Sequence, residues 1–256
     1  MAREALSVVV TTLDNAATLP RLLASVRFAD EILVVDSGSH DDTLELARAA
    51  GCRILHKPFS GYGSQKGWAI RQASHRLVLL LDADEWLPED CQAEIRGLLD
   101  ALGKGDQRLA GWRLARRERV FWRYQHRATR MNRFLRLVDR DRCRMSESTV
   151  HAAPEVDGPV GELREPFCHD GEPDIHTKVA KINSYSSGLV ADKLARGSRF
   201  AKLRCLVYPP FFFLRLYLFK RGFLDGWAGF VAAVVGAFYV FLKYAKLDEA
   251  RRQPGS

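Results

Sequence analysis

Asp82 and Asp84 stand one residue apart at the end of a leucine-rich run, "LVLLLDADEW" (77–86). In an extended chain, side chains two apart point the same way, so both carboxylates face one side. Carboxylates are costly to bury as ions unless they are paired or bound to metal. A pair of them at a strand tip suits Mg²⁺ or Mn²⁺, which takes its remaining ligands from water and substrate phosphates. Such a cation would neutralise a diphosphate leaving group. A second constellation is "VVDSGSHDDT" (34–43). Here Asp36 leaves a strand at a Ser-Gly-Ser turn, where an acid can accept hydrogen bonds from a base or ribose. Asp41 or Asp42 is placed to cap the helix that follows. The glycine-rich "SGYGSQKG" (60–67) reads as a turn leading into a helix and has the spacing of neither phosphate-loop motif. It still offers Lys66 to a phosphate.

These groups need a scaffold, and the first hundred residues supply one. "LSVVVTT", "EILVVDSGS", "CRILHKPF" and "RLVLLLDADE" read as strands. Helical patterns alternate with them: "LPRLLASVRF" with Pro20 near its start, "DDTLELARAAG" stopped by Gly51, "WAIRQASHR", and "PEDCQAEIRGLLDALG". Strand–helix alternation with fully apolar strands predicts an α/β fold, a mostly parallel sheet covered on both faces. Ligands of such sheets bind beyond the carboxyl ends of the strands, where Thr11–Asp14, Asp36–Ser39 and Asp82–Asp84 fall. Residues 1–110 thus form a nucleotide-binding half, 111–175 a further part of the same domain, and 176–256 a helical region.

Composition narrows the class. The chain has 256 residues, 47% of them hydrophobic, which fits a globular protein. Its net charge of +8 points to anionic partners. Five scattered cysteines argue against a disulfide framework or a cysteine zinc site and fit a reducing compartment. The apolar run at the N-terminus is too short for a signal peptide, so the bulk of the chain is expected in the cytoplasm. Residues 111–144 interleave arginines with Trp112, Phe121, Trp122, Tyr124 and Phe134. That pattern could stack on single-stranded nucleic acid, but no recognised nucleic-acid module is present. Anionic headgroups or a phosphorylated glycolipid suit it better, and no nucleic-acid partner is expected. Arg136, in "FLRLV", is the arginine singled out. From 205 to 247 the chain is mostly apolar, with basic and aromatic residues at the flanks of Gly226–Leu242. This predicts membrane contact, either spanning or lying in one leaflet.

"SVVVTTLDNAATLPRLLASV", "DEILVVDSGSHDDT", "GYGSQKGWAI" and "LLLDADEWL" together resemble family-2 glycosyltransferases of the GT-A (Rossmann-like) fold. The downstream "VDGPVGEL", "KINSYS" and "YLFKRGFLDGWAGF" resemble the branch that builds lipopolysaccharide core. The resemblance implies inverting, metal-dependent transfer of a hexose, such as glucose, from a UDP-linked donor to a lipid-linked acceptor at the cytoplasmic face of the bacterial inner membrane. It implies that Thr11 and Asp14 meet the nucleotide, Asp36 the base, and Lys66 the donor. Asp82 and Asp84 would hold Mg²⁺ or Mn²⁺, Asp82 also touching the donor, and His169 matches a histidine that binds metal or diphosphate. The 111–175 segment would be the acceptor side and 176–256 the membrane-associating region.

Two departures stand out. The first loop reads "TTLDNA" where the family usually has Thr-x-Asn-Glu. Ala152 occupies the place of an acid in "VHAAPE". Inversion needs a base to take the acceptor hydroxyl's proton, which leaves Glu147, His151, Glu155 and Asp157, with Glu147 or His151 preferred. Two other readings compete: a nucleotidyltransferase on a similar sheet, and a non-catalytic membrane or nucleic-acid binding protein.

Overall fold

The computed structural model of the chain describes residues 3–105, 109–146, 152–171, 174–195 and 200–252. The elements of the first half are β1 (Leu6–Thr12), α1 (Leu19–Ser25), β2 (Glu31–Asp36), α2 (Thr43–Ala49), β3 (Arg53–His56), α3 (Tyr62–Gln72), β4 (Leu77–Asp82), β5 (Glu85–Trp86) and α4 (Glu89–Gly103). Then come β6 (Gly111–Val120), β7 (Arg123–Tyr124), β8 (Asn132–Asp139), β9 (Cys143–Met145), β10 (Pro154–Val156), β11 (Val160–Glu162) and β12 (Phe167–His169). Three helices close the chain: α5 (Ile175–Ala195), α6 (Ala201–Leu214) and α7 (Gly226–Arg252). They fall into two compact units, one of residues 1–117 with 132–170, the other of 118–131 with 171–256. Most of the segment expected on the acceptor side is therefore built into the same unit as the first 110 residues.

In the first unit the strand order is β3-β2-β1-β4, all parallel, continuing antiparallel through β8 and β6. The expected mostly parallel sheet is thus parallel in its first four strands and mixed beyond them. Period-two alternation sorts the strand side chains. Leu6, Val8, Val10, Leu77, Leu79 and Leu81 turn to the face covered by α1 and α4. Val9, Leu33, Val35, Val78 and Leu80 turn to the face covered by Ala69, Ile70 and Ala73 at the end of α3. Helices on both faces, as expected, explain why the central stretches of these strands are apolar.

Two local expectations are corrected. The glycine-rich stretch before "WAIRQASHR" is not a turn but the first half of α3, and the helix ends at Gln72. Gly61 supplies the entry, with φ +101°, a conformation side-chain-bearing residues rarely adopt. The strand "CRILHKPF" shortens to Arg53–His56, because the chain must turn after Lys57, whose N–H donates to the Asp36 carbonyl, to enter that helix.

In the second unit, Arg119 and Val120 at the end of β6 pair with β7, and α7 packs against both α5 and α6. Pro209 and Pro210 lie inside α6. Each removes a backbone donor, and the helix runs on into a wider π turn at Arg215–Phe219 before the chain reverses. The tail pattern Gly226–Leu242 is contained in the longer α7.

Candidate active site

Sheet register brings the predicted residues to one edge. Thr12 pairs with Asp36 and Thr11 with Asp82, so three strand tips lie side by side at the carboxyl end of the parallel strands. Above them opens a cavity of about 600 Å³. Thr11, Gln65, Lys66, Asp82, Asp84 and His169 all line it, and Phe59 and Tyr62 stand at its wall as an edge-to-face pair 5.1 Å apart.

Asp82 is held from both sides. Its Oδ1 lies 2.5 Å from Lys66 Nζ and its Oδ2 3.2 Å from Arg136 Nη2. Burial works to raise its pKa, but the Arg136 and Lys66 cations outweigh burial and hold the carboxyl far below the usual range. Beneath it sits Glu85, fully buried, which accepts from the Asp82 N–H at 3.0 Å and from Arg136 Nη2 at 2.5 Å. Burial raises the Glu85 pKa, with Arg136 opposing it and Asp82 reinforcing it. Arg136 is 5% exposed, with its guanidinium 5.3 Å from the Phe167 ring centroid. Burial lowers its pKa, yet Glu85 and Asp82 together raise it, so it stays charged. Its Nε has no hydrogen-bond partner among the described residues. Two carboxylates and these two cations form a quartet under the cleft, with Arg116 Nη1 also near, 3.7 Å from Glu85 Oε1.

Asp84 has a different partner. Its Oδ2 lies 3.2 Å from His169 Nε2. Pairing of β5 with β12 sets His169 opposite Glu85, and the Asp170 N–H donates to the Asp84 carbonyl at 2.8 Å. A carboxylate and an imidazole thus meet at the cavity wall. They fit a divalent cation whose other ligands come from phosphate and water. Among the described residues no three His, Cys, Asp or Glu side chains gather at one metal-sized point. Asp82, expected as a metal ligand, is engaged by Lys66 and Arg136.

The other predicted residues are placed as follows. Asp36 is 1% exposed, and its carboxylate accepts from the Gly38 and Ser39 N–H groups and the Ser39 hydroxyl. Burial opposes these bonds, but Ser39, Gly38 and His56 lower its pKa overall. Asp36 therefore builds the Ser-Gly-Ser turn and presents Ser37, which lines the cavity. Asp14, in the left-handed region at φ +52°, accepts from the His40 N–H at 2.7 Å and ties the first loop to the second. Asp42 is the N-cap residue of the second helix but its side chain makes no cap bond; Asp41, just before it, accepts from the Thr43 N–H at 3.0 Å. Ala152 lines the cavity. Glu147 and His151 lie outside the described residues. Glu155 pairs with Arg144 at 3.0 Å on an exposed edge. Sequence reasoning gave Glu85 no role, although its place in "DADE" marked it. It also passed over Gln65, whose amide donates to Ser37 Oγ and the Lys57 carbonyl while its Oε1 is buried without a partner among the described residues.

Residues 7–151 match the family model described as glycosyl transferase family 2. The chain belongs to that family. Its curated relatives include the lipopolysaccharide core biosynthesis glycosyltransferase LpsC of Rhizobium meliloti, 33% identical over 94% of this chain and 91% of that protein. Another is an uncharacterized glycosyltransferase of Rickettsia typhi, 30% identical over 95% of this chain and 87% of that one. Among solved structures, glucosyl-3-phosphoglycerate synthase from Mycobacterium tuberculosis, in complex with Mn²⁺, UDP and phosphoglyceric acid, is 17% identical over 73% of this chain and 78% of that chain, with a TM-score of 0.47. The family assignment makes the protein a glycosyltransferase using a nucleotide-sugar donor, and sets aside the nucleotidyltransferase and binding-protein readings.

Proposed function

We propose that the chain moves a hexose, with inversion, from a UDP-linked donor to a lipid-linked glycan of the lipopolysaccharide-core kind, working at the cytoplasmic face of a membrane. The observation behind this reading is the strand-tip cluster: Asp84 with His169 on one side of the cavity, Lys66 with Asp82 on the other. The kinship with LpsC supports the acceptor class. The exposed apolar helices of the second unit support work at a membrane.

Asp84 Oδ2 and His169 Nε2 are the atoms that would hold Mn²⁺ or Mg²⁺, and the ion would supply charge neutralisation of the diphosphate. Lys66, paired with Asp82 at the cavity wall, is the cation that would meet the same diphosphate as the donor enters. The buried Gln65 Oε1 offers an acceptor to a donor N–H or O–H in the nucleotide part of the cavity. The acceptor hydroxyl attacks the anomeric carbon, and the bond to the β-phosphate oxygen breaks with its electron pair leaving on UDP. The hydroxyl proton passes to Glu147 or His151, which precede the position where Ala152 replaces an acid.

The test is release of UDP from a panel of UDP-sugars by the detergent-solubilised chain, with and without Mn²⁺, beside Asp84→Ala. Slow metal-dependent release from one donor, lost in Asp84→Ala, is expected. Release that is indifferent to both metal and Asp84 would overturn the assignment of the cluster.

A further inference from the structure

α6 and α7 form a helical hairpin, and each leaves one apolar stripe in solvent. On α6 and its π turn the stripe is Leu203, Val207, Phe211, Leu214 and Leu218, each exposed and stepped by three or four residues. On α7 it is Trp227, Val234, Phe238 and Phe241, again on one helical face. Another side of α7 is small. A Cβ on Gly229 would come within 1.9 Å of the Gly222 carbonyl oxygen, and one on Gly236 within 2.6 Å of Leu216 Cδ1. So α7 is apolar almost all round because one side meets α6, another meets α5, and the third meets nothing among the described residues. Residues 200–256 also hold nine Lys and Arg against three Asp and Glu, six of the eight net positive charges. An apolar face rimmed by cations matches the acyl boundary of an anionic bilayer.

By length and composition α7 could cross a bilayer, but the chain's own connections oppose it. The turn between α6 and α7 is pinned to the polar segment 118–131. Asp225, 2% exposed, accepts from the His126 N–H at 2.5 Å and the Thr129 hydroxyl at 3.3 Å, and the Arg130 N–H donates to the Lys220 carbonyl at 3.0 Å. Thr129 is only three residues from Asn132, which pairs with Arg116 in the sheet of the nucleotide-sugar unit. Three residues reach about 10 Å, against roughly 30 Å of hydrocarbon. The turn must stay on the side of the bilayer where that sheet is.

The far end of α7 is held as well. Lys246 Nζ donates to the Asn183 carbonyl at 2.7 Å and to Ser186 Oγ and Ser187 Oγ at 2.9 and 2.8 Å, all on α5. That helix carries Lys178, Lys181 and Lys193, charges that do not enter hydrocarbon without heavy cost. Both ends of α7 are thus fastened to polar structure.

We propose that the α6–α7 hairpin lies in the plane of an anionic membrane surface, its two stripes sunk into the acyl boundary, and does not cross. The inference rests on the membrane association proposed above. Two measurements separate them. In flotation, the purified full chain is expected to rise with phosphatidylglycerol–phosphatidylethanolamine vesicles and far less with phosphatidylcholine alone. Phe211→Glu with Phe238→Glu should cut that partition roughly tenfold or more while leaving UDP release unchanged. A chain that does not float, or that forms a stripe-dependent dimer instead, overturns both membrane readings. In labelling, Lys220→Cys and Arg251→Cys are treated with a membrane-impermeant maleimide in everted and right-side-out membrane vesicles. Modification is read by mass spectrometry of the peptide carrying the new cysteine. In-plane placement expects both sites to react from the cytoplasmic face and neither from the other. Reaction of either site from the opposite face refutes the topology and leaves membrane association standing.

Discussion

Arg136→Met is the substitution whose consequences can be worked furthest. Among the described residues its guanidinium is the one cation within hydrogen-bonding distance of the fully buried Glu85, at 2.5 Å, with the Arg116 guanidinium next at 3.7 Å. Methionine fills much of the same volume but leaves Glu85 without that charge. Removing one partner of a buried ion pair costs about 3–5 kcal/mol, because the remaining charge is stranded. Glu85 escapes part of this by taking a proton. Its pKa is already raised by burial and rises further without Arg136. A raised acid contributes stability that is present at low pH and lost as pH climbs through its folded pKa. The deficit of Arg136→Met against the native chain should therefore be larger at pH 8 than at pH 5. Adding Glu85→Gln removes the stranded charge and should restore about half of the loss, a coupling of about 2 kcal/mol between two touching residues. The assay is urea unfolding followed by fluorescence of Trp68, Trp86 and Trp112, at both pH values, for the native chain, both single variants and the double variant. A loss under about 1 kcal/mol that is independent of pH and additive in the double variant would refute the quartet as an energetic unit.

Two further outcomes follow from the same kind of reasoning. Burial works to raise the Glu31 pKa, but bonds from Ser7, Ser74 and Arg53 bring it down to about 2 from 4.5. A depressed acid stabilises above its unfolded pKa and loses that contribution as pH falls through its folded value. Glu31→Gln should therefore cost up to about 3 kcal/mol at pH 7, with the gap closing between pH 4.5 and 2; thermal unfolding across that range checks it, and a gap independent of pH would sink the claim. His169→Ala should weaken Mn²⁺ binding in the presence of UDP at least about tenfold, read by electron paramagnetic resonance of free Mn²⁺. An unchanged affinity would remove His169 from the metal site.

The parallel half of the sheet was legible because its physics is local. β1 and β4 carry the apolar runs Val8–Val10 and Leu77–Leu81 since both of their faces are covered, and such runs can be read one segment at a time. The edge of the sheet was legible for the same reason, since a carboxylate that ends an apolar run needs a cation or a hydrogen-bond donor to meet it. The antiparallel half was not. "GWRLARRERV" and "NRFLRLVD" alternate poorly because their arginines have specific partners: the buried Arg136 bonds Glu85 and Asp82, and Arg133 donates to the Leu163 carbonyl at 2.8 Å. Partners 50 or 30 residues away leave no trace in local pattern. The glycines of α3 misled for a related reason. Gly67 is needed not for a turn but because a Cβ there would fall 2.8 Å from Met145 Cγ, a neighbour supplied by β9.

The function of the quartet follows from what Asp84 would face without it. Asp82 and Asp84 share one short turn, and carboxylates so placed repel each other unless cations meet them. Lys66 and Arg136 pair with Asp82 and Glu85, which lessens the repulsion Asp84 meets from those two carboxylates. Asp84 stands beside His169 at the cavity wall, where a cation and a diphosphate would arrive together. Glu85 also takes the Asp82 N–H, which fixes the backbone of the turn on which Asp84 is carried. A buried arginine and glutamate, neither of them lining the cavity, in this way set the surroundings and the backbone position of the carboxylate that does.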